Sequence, residues 1–196
     1  MRLPMRWMAT ALGLAVLGGC ANSPQPTLYT LTPGRPQERA DADVPVAIAI
    51  GPVAVPEMVD RPQLVLRVSA TQVRLDEFAR WAEPLKRQIP AVLAADLAQL
   101  FPGALVSSYP QWVEPGAAYL VSVDVQKFDS APGDAAAISV TWSVRPPKQG
   151  APVSGRSDVQ EPAGAAGYDA LIDAHSRALA AVSRDIAGAI RAARRQ

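Results

Sequence analysis

The sequence predicts an α/β fold: a single domain with a mixed β-sheet and helices packed on its faces, preceded by a signal peptide and a tether. Three observations carry that expectation. Two segments, Tyr119–Val125 and Ile138–Val144, alternate apolar and polar residues with a period of two, as strands with one buried face do. Two others, Trp81–Leu100 and Tyr168–Ile190, space apolar residues by three and four, as amphipathic helices do. An apolar N-terminal run ends at Cys20, the only cysteine.

Arg2 and Arg6 precede an apolar run from Trp7 to Leu17, and small residues follow, which is the order of a secretory signal. A helix of about 11 residues rises only about 16 Å, roughly half the hydrocarbon core, so it is too short to remain as a spanning anchor. Leu17-Gly18-Gly19-Cys20 resembles a bacterial lipobox. In lipoproteins such a cysteine receives a diacylglycerol thioether, the peptide before it is cut, and the new amino terminus is acylated, palmitate being a typical chain. Cys20 is therefore the expected lipid-attachment residue. The blander reading is an ordinary signal peptide that happens to carry a cysteine. Ala21 stands where an Asp tends to retain lipoproteins at the inner membrane, so the outer membrane is expected, with the domain facing the periplasm. The expected boundaries are 1–19 for the signal peptide, 20–43 for the lipidated N-terminus and tether, and 44–196 for the folded domain.

Removing residues 1–19 leaves 17 basic against 18 acidic side chains, because Arg2 and Arg6 leave with them. That balance gives no electrostatic footprint for nucleic acid. Acylation of Cys20 leaves no thiol for a disulfide, a nucleophile or a metal site, and no cofactor is expected.

In chain order, Asn22 to Pro26 and Pro33-Gly34-Arg35-Pro36 read as tether. Thr27-Leu28-Tyr29-Thr30-Leu31 is β-prone and can dock as a short strand, which would shorten the free tether to Ala21–Pro26. Val46–Ile50 alternates large residues with alanine, suiting a central strand covered on both sides. Gly51-Pro52 interrupts that strand and Pro56 stops it. Val59–Gln63 is a turn, Leu64–Val68 a strand, and Gln72–Leu75 its partner. A helix begins with Pro84 at its first position; Pro90 inside it predicts a kink. A short strand follows near Ala104–Ser107. The alternating segments form a hairpin turning at Asp129–Asp134. Lys148–Gly167 is rich in Gly, Pro, Ser and Ala and reads as a loop with one weak edge strand near Val153–Val159. The last helix runs from Tyr168 to Arg191, with Asp169 and Asp173 near its positive end and arginines near its negative end.

The chemistry on offer is sparse. His175, the only histidine, lies on the apolar stripe of the last helix and reads as a core residue with one hydrogen bond. There is no Gly-x-Ser-x-Gly, no phosphate-binding loop and no His or Cys pair at metal spacing. Trp142 reads as core. Trp112, after Tyr109-Pro110-Gln111, is a candidate contact residue. Arg61 and Arg80 read first as ion-pair partners, of Asp60 or Glu83 for example.

Three stretches then read together. Val59-Asp60-Arg61-Pro62-Gln63-Leu64-Val65, Arg80-Trp81-Ala82-Glu83-Pro84-Leu85 and Leu28-Tyr29-Thr30-Leu31 resemble segments of the ABC-type transport auxiliary lipoproteins, the family that includes the paraquat-inducible protein C type. The resemblance runs over nearly all of Cys20–Arg191. It implies a compact α/β domain similar to the anticodon-binding-domain-like fold, and a non-enzymatic subunit of an ABC-type system. That system would contain an MCE-domain protein, the implied partner, and move lipid between the two membranes; self-association is also implied. Asp60, Arg61, Arg80, Trp81 and Trp112 are the candidate partner-binding residues. A different envelope lipoprotein, such as a lipopolysaccharide-assembly chaperone or a cell-wall enzyme activator, is the alternative.

Overall fold

The computed structural model describes residues 24–35, 47–109 and 116–195. Cys20, Val46, Trp112 and residues 36–45 lie outside these ranges.

The hub of the sheet is β6 (Tyr119–Ala131), where Val121, Val123, Val125 and Phe128 are buried and Ser122 and Asp124 exposed. On one edge it pairs antiparallel with β7 (Ala135–Arg145), and β7 in turn with β8 (Val153–Pro162). On the other edge β6 meets two strands in succession. The first is β2 (Ala47–Ala54), parallel; the second is β3 (Gln63–Arg67), which touches β6 through Leu66 and Ser130. Beyond these lie β5 (Leu105–Ser107), parallel to β2, and β4 (Val73–Trp81), antiparallel to β3. Last comes β1 (Thr27–Tyr29), parallel to β4. The result is one eight-stranded mixed sheet.

The helices α1 (Leu85–Leu100) and α2 (Tyr168–Arg194) pack against each other and on the sheet, α1 over β2 and β5, α2 over β6, β7 and β8. Their apolar stripes and the inward side chains of the strands make one core, including Ile48, Ile50, Leu93, Leu97, Val140, Leu179 and Ile186, all fully buried. The opposite face of the sheet carries polar residues and ion pairs, such as Arg67–Asp129 at 2.7 Å and Arg156–Asp158 at 2.7 Å.

Several sequence expectations need correction. β2 needs none: it carries the expected interruption at Gly51-Pro52 and runs on to Ala54, before Pro56. Its register on β6 shifts between Ile50 and Val53, and Pro52, which has no N–H to give a ladder, sits at that irregularity and is exposed. Pro84 is the N-cap of α1, not its first turn, and the helix continues through the buried Pro90 to Leu100. Half of the expected Lys148–Gly167 loop is strand: the weak edge strand expected near Val153–Val159 is β8, which pairs with β7 over ten residues. Its Gly155 lies under the Trp142 ring, so closely that a Cβ there would collide with the indole. The hairpin turn is tighter than Asp129–Asp134, since β6 runs to Ala131 and β7 starts at Ala135. β4 extends to Trp81, well beyond Leu75.

Candidate functional site

Two of the sequence stretches meet in space. Backbone bonds from Val59 and Asp60 to the carbonyl of Pro56 (3.0 and 3.1 Å) close a turn, and Val59 is buried beneath it. The chain then passes Arg61 and Pro62 into β3. At the end of β4 the N–H of Trp81 donates to the carbonyl of Pro62 at 2.7 Å. This bond joins the Asp60-Arg61-Pro62 turn to the Trp81-to-Pro84 corner. Between them lies a cleft of about 310 Å³, lined by Asp60, Arg61, Pro62, Trp81, Ala82, Glu83, Pro84 and Lys86.

The cleft mixes apolar surface with charge. Trp81 is mostly buried, its ring packed edge-on against Phe128 at 6.0 Å, so only its rim reaches the cleft. Pro62, Ala82 and Pro84 are exposed. Asp60 pairs with Lys86 at 3.2 Å across the opening. Arg61 is exposed, and no ion pair ties it to another described residue. An exposed pair such as Asp60–Lys86 contributes only about 0–1 kcal/mol to stability, so these charges are available to a ligand at little cost to the fold.

Of the five candidate contact residues, Asp60, Arg61 and Trp81 line this cleft. Arg80 does not: strand alternation turns it to the other face, where its Nε donates to the Glu77 carbonyl at 2.8 Å and its guanidinium pairs with Glu77 at 3.4 Å. Trp112 lies outside the described residues. The expected ion pairs are replaced by others, because Asp60 takes Lys86, Glu83 takes Arg87 at 3.8 Å and Arg80 takes Glu77. Sequence reading missed Lys86, which looked like any exposed helical cation beside the buried Leu85.

Behind the cleft, residues 27–35 form a strap. β1 bonds to the cleft wall, the Ala82 N–H donating to the Tyr29 carbonyl at 2.8 Å. The reading in which Thr27–Leu31 docks is the one the fold adopts. The strap then runs over both helices, held by side chains that helical periodicity alone would place in an apolar stripe. Gln88 Oε1 accepts the Leu31 N–H at 2.8 Å while its Nε2 donates to the Glu83 carbonyl at 2.6 Å. Ser176 Oγ accepts the Thr32 N–H at 3.1 Å. Asp96 accepts the Gly34 N–H at 2.8 Å and the Ser183 hydroxyl at 3.0 Å. Burial pushes the Asp96 carboxyl above its ordinary range, and these two donors partly offset the push.

A second constellation pairs a serine and a histidine. Ser130 Oγ lies 2.7 Å from His175 Nε2, and the imidazole stacks on Phe128 at 4.0 Å between centroids. His175 is completely buried and its Nδ1 has no partner. Burial holds it neutral, with a pKa pushed down to about 3. With both groups closed off from solvent, the pair holds β6 to α2 and offers no approach to a substrate. Among the described residues no group of three or more His, Cys, Asp or Glu is placed to hold a metal ion, and no helix is long and apolar enough to cross a membrane.

Solved structures share this fold. Among curated proteins none matches the chain. A crystal structure described only as an uncharacterized protein superposes with a TM-score of 0.72 at 23% identity, over 85% of this chain and 99% of that one. Protein XCC0632 from Xanthomonas campestris, of the DUF330 family, superposes with a TM-score of 0.63 at 18% identity, over 83% of this chain and 93% of that one. At these identities the likeness shows the shared fold. The model of the ABC-type transport auxiliary lipoprotein component family matches residues 29–187, which takes in the strap from Tyr29, the cleft, the whole sheet from β2 onward and most of α2. The chain belongs to the ABC-type transport auxiliary lipoprotein component family.

Proposed function

We propose that this chain is the outer-membrane-anchored lipoprotein subunit of an intermembrane lipid transport system, attached through acylated Cys20. On this reading it is a non-enzymatic docking component that supports envelope integrity. An MCE-domain protein of the same system is its partner, and the cleft between Asp60 and Lys86 is where that partner binds. The observation that carries the reading is the Trp81-to-Pro62 bond, which brings the two family-like sequence stretches to one amphipathic cleft. Arg61 supplies a cation to meet a carboxylate of the partner, and the Pro62, Ala82 and Pro84 surfaces suit an extended apolar segment.

The test is a pull-down from detergent-solubilised envelopes with the tagged full-length protein, read by mass spectrometry for co-eluting proteins and for the acylated Cys20 peptide. Recovery of an MCE-domain protein by the wild type, its loss with Arg61→Glu, and its retention with Arg80→Glu is the expected pattern. Recovery of lipopolysaccharide-export or cell-wall machinery instead would move the chain to the other class of envelope lipoprotein.

A further inference from the structure

One strip of the surface is used neither by the cleft nor by the core. Leu28 (61% exposed), Val68 (59%), Phe78 (53%), Val73 (40%) and Leu75 (39%) lie along β1, β4 and the β3–β4 turn. The pairings set the side of three of them, Leu28, Val73 and Leu75. Leu66 meets Ser130, the partner of His175, so Leu64 and Leu66 point to the helices; Val65 and its cross-strand partner Leu75 point away. Val73 shares that side with Leu75. Tyr29 packs on Tyr168 of α2, and its ladder partner Trp81 on Phe128, so their neighbours Leu28 and Arg80 also point away. Phe78 lies in the irregularity between Asp76 and Arg80, where the register on β3 shifts, and is exposed there.

Leu28, Val73 and Leu75 therefore lie on the helix-free face at one edge of the sheet, with Phe78 in the bulge beside Arg80 and Val68 in the turn at the far end. That edge is open as well: β1 pairs with β4 only from Ala79 onward, which leaves Val73–Phe78 without a described strand on their outer side. The Val68–Gln72 turn at its end carries no charged residue. Of the two acids on the edge, Glu77 is bonded to Arg80 and to Gln63, and Asp76 to Tyr168 of α2.

We infer that this edge, from the Val68–Gln72 turn to Leu28, is a lipid-facing surface that seats the domain on the membrane carrying Cys20. The inference rests on the reading of Cys20 as the acylated residue. What selects lipid as the occupant is the direction and length of the chain. β1 runs parallel to β4, so the chain upstream of Thr27 leaves toward Phe78, Leu75 and Val73. Cys20 is seven residues before Thr27, a reach of at most about 25 Å. The strand from Arg80 back to Val73 spans about the same distance. The anchor thus cannot lie far from the strip, and the apolar side chains face the surface in which the acyl chains are buried. The open backbone edge of β4 sets the depth. Its N–H and C=O groups need hydrogen bonds, so they stay among headgroups and interfacial water while the side chains enter the acyl boundary.

The experiment uses the full-length lipidated protein reconstituted into vesicles of phosphatidylethanolamine with a minor share of phosphatidylglycerol. Phe78→Trp places a reporter on the strip at an exposed site, and lipids brominated along the acyl chain quench it. The expected result is loss of about half of the emission that the introduced indole adds over the wild type, as for a side chain at the headgroup–acyl boundary. In the unsubstituted protein, exchange at the Val73–Phe78 amides should slow about tenfold on vesicles relative to detergent micelles. Absence of quenching with Cys20 acylated overturns the inference and leaves the anchor standing. Quenching with Cys20 unmodified upholds the surface and sinks the anchor. Absence of both overturns both. Amide protection without quenching, growing with the protein-to-lipid ratio, overturns it in favour of a second copy pairing along this edge.

Discussion

Asp96 on the first helix accepts the backbone N–H of Gly34 at 2.8 Å, across 62 residues of sequence, and so fastens the N-terminal strap to the helical layer. The same carboxylate takes the Ser183 hydroxyl of α2 at 3.0 Å. One side chain therefore joins three segments, at the cost of a buried charge. Asp96→Asn keeps an acceptor for Gly34 and removes that charge. It should leave stability at neutral pH unchanged or raise it, whereas Asp96→Ala should lower it by about 1–3 kcal/mol through the orphaned donors. Because burial raises the carboxyl's pKa, the wild type should gain on the asparagine variant as the pH falls through the carboxylate range. Urea midpoints of both variants across that range check the sign.

Gln88 is the second fastening. It bonds the strap at Leu31 and the cleft wall at Glu83, and it is buried. Gln88→Leu fills the space but leaves the Leu31 N–H without a partner. A loss of about 1–3 kcal/mol is expected, with faster amide exchange confined to Leu31 and its neighbours. If exchange rose evenly over the whole domain, the strap would not be a separate unit of stability.

His175 makes the domain acid-sensitive. Folding lowers its pKa from about 6.5 in the open chain to about 3. The folded state thus resists a proton that the unfolded chain accepts. Stability is whole above pH 6.5 and is lost progressively as the pH falls toward 3, by about 2 kcal/mol at about pH 5 from this group alone. Asp76, whose carboxyl is held below its ordinary range by the Tyr168 hydroxyl, adds a loss of the same sign at lower pH. His175→Gln should flatten the profile between about pH 6.5 and 5 while leaving the Asp76 part. A profile of unchanged slope would show that the imidazole is not held neutral.

Gly155→Ala sets a Cβ against the Trp142 ring, whose Nε1–H is fixed by Ser157 Oγ at 3.0 Å. The indole cannot yield without losing that bond, so a destabilisation of about 1–3 kcal/mol is expected. Thermal unfolding measures it, and Trp142→Leu combined with Gly155→Ala should cost less than the sum of the two single changes.

The sequence spoke most clearly where one periodicity ruled. β6 and β7 could be read because each has one wet face and one dry face. α2 could be read because its stripe persists from Tyr168 to Ile190. β8 showed only as a weak edge strand near Val153–Val159 because Gly155, which the Trp142 ring demands, lies within a run of small and polar residues and breaks the alternation. The second half of β4 was hidden for a different reason: Gln72–Leu75 read as the partner of β3, but the register shifts between Asp76 and Arg80, so no period carries the strand on to Trp81. The strap was visible only as a β-prone interruption of a tether. Its fastenings Gln88, Asp96, Ser176 and Ser183 are polar residues whose burial depends on segments more than about 50 positions away. Asp60, Arg61 and Trp81 were legible as short motifs, but their meeting depends on a single long-range bond, which no local pattern announces.

The parallel pairing of β1 with β4 also decides how the domain bears a mechanical load. A pull on the chain before Thr27, resisted at the cleft near Ala82, drags the two strands in opposite senses along their common axis. Such a pull shears the ladder, loading its bonds together; peeling would break them one at a time. The short strand that closes the sheet is thus oriented as a tie rod between the leading segment of the chain and the wall of the cleft.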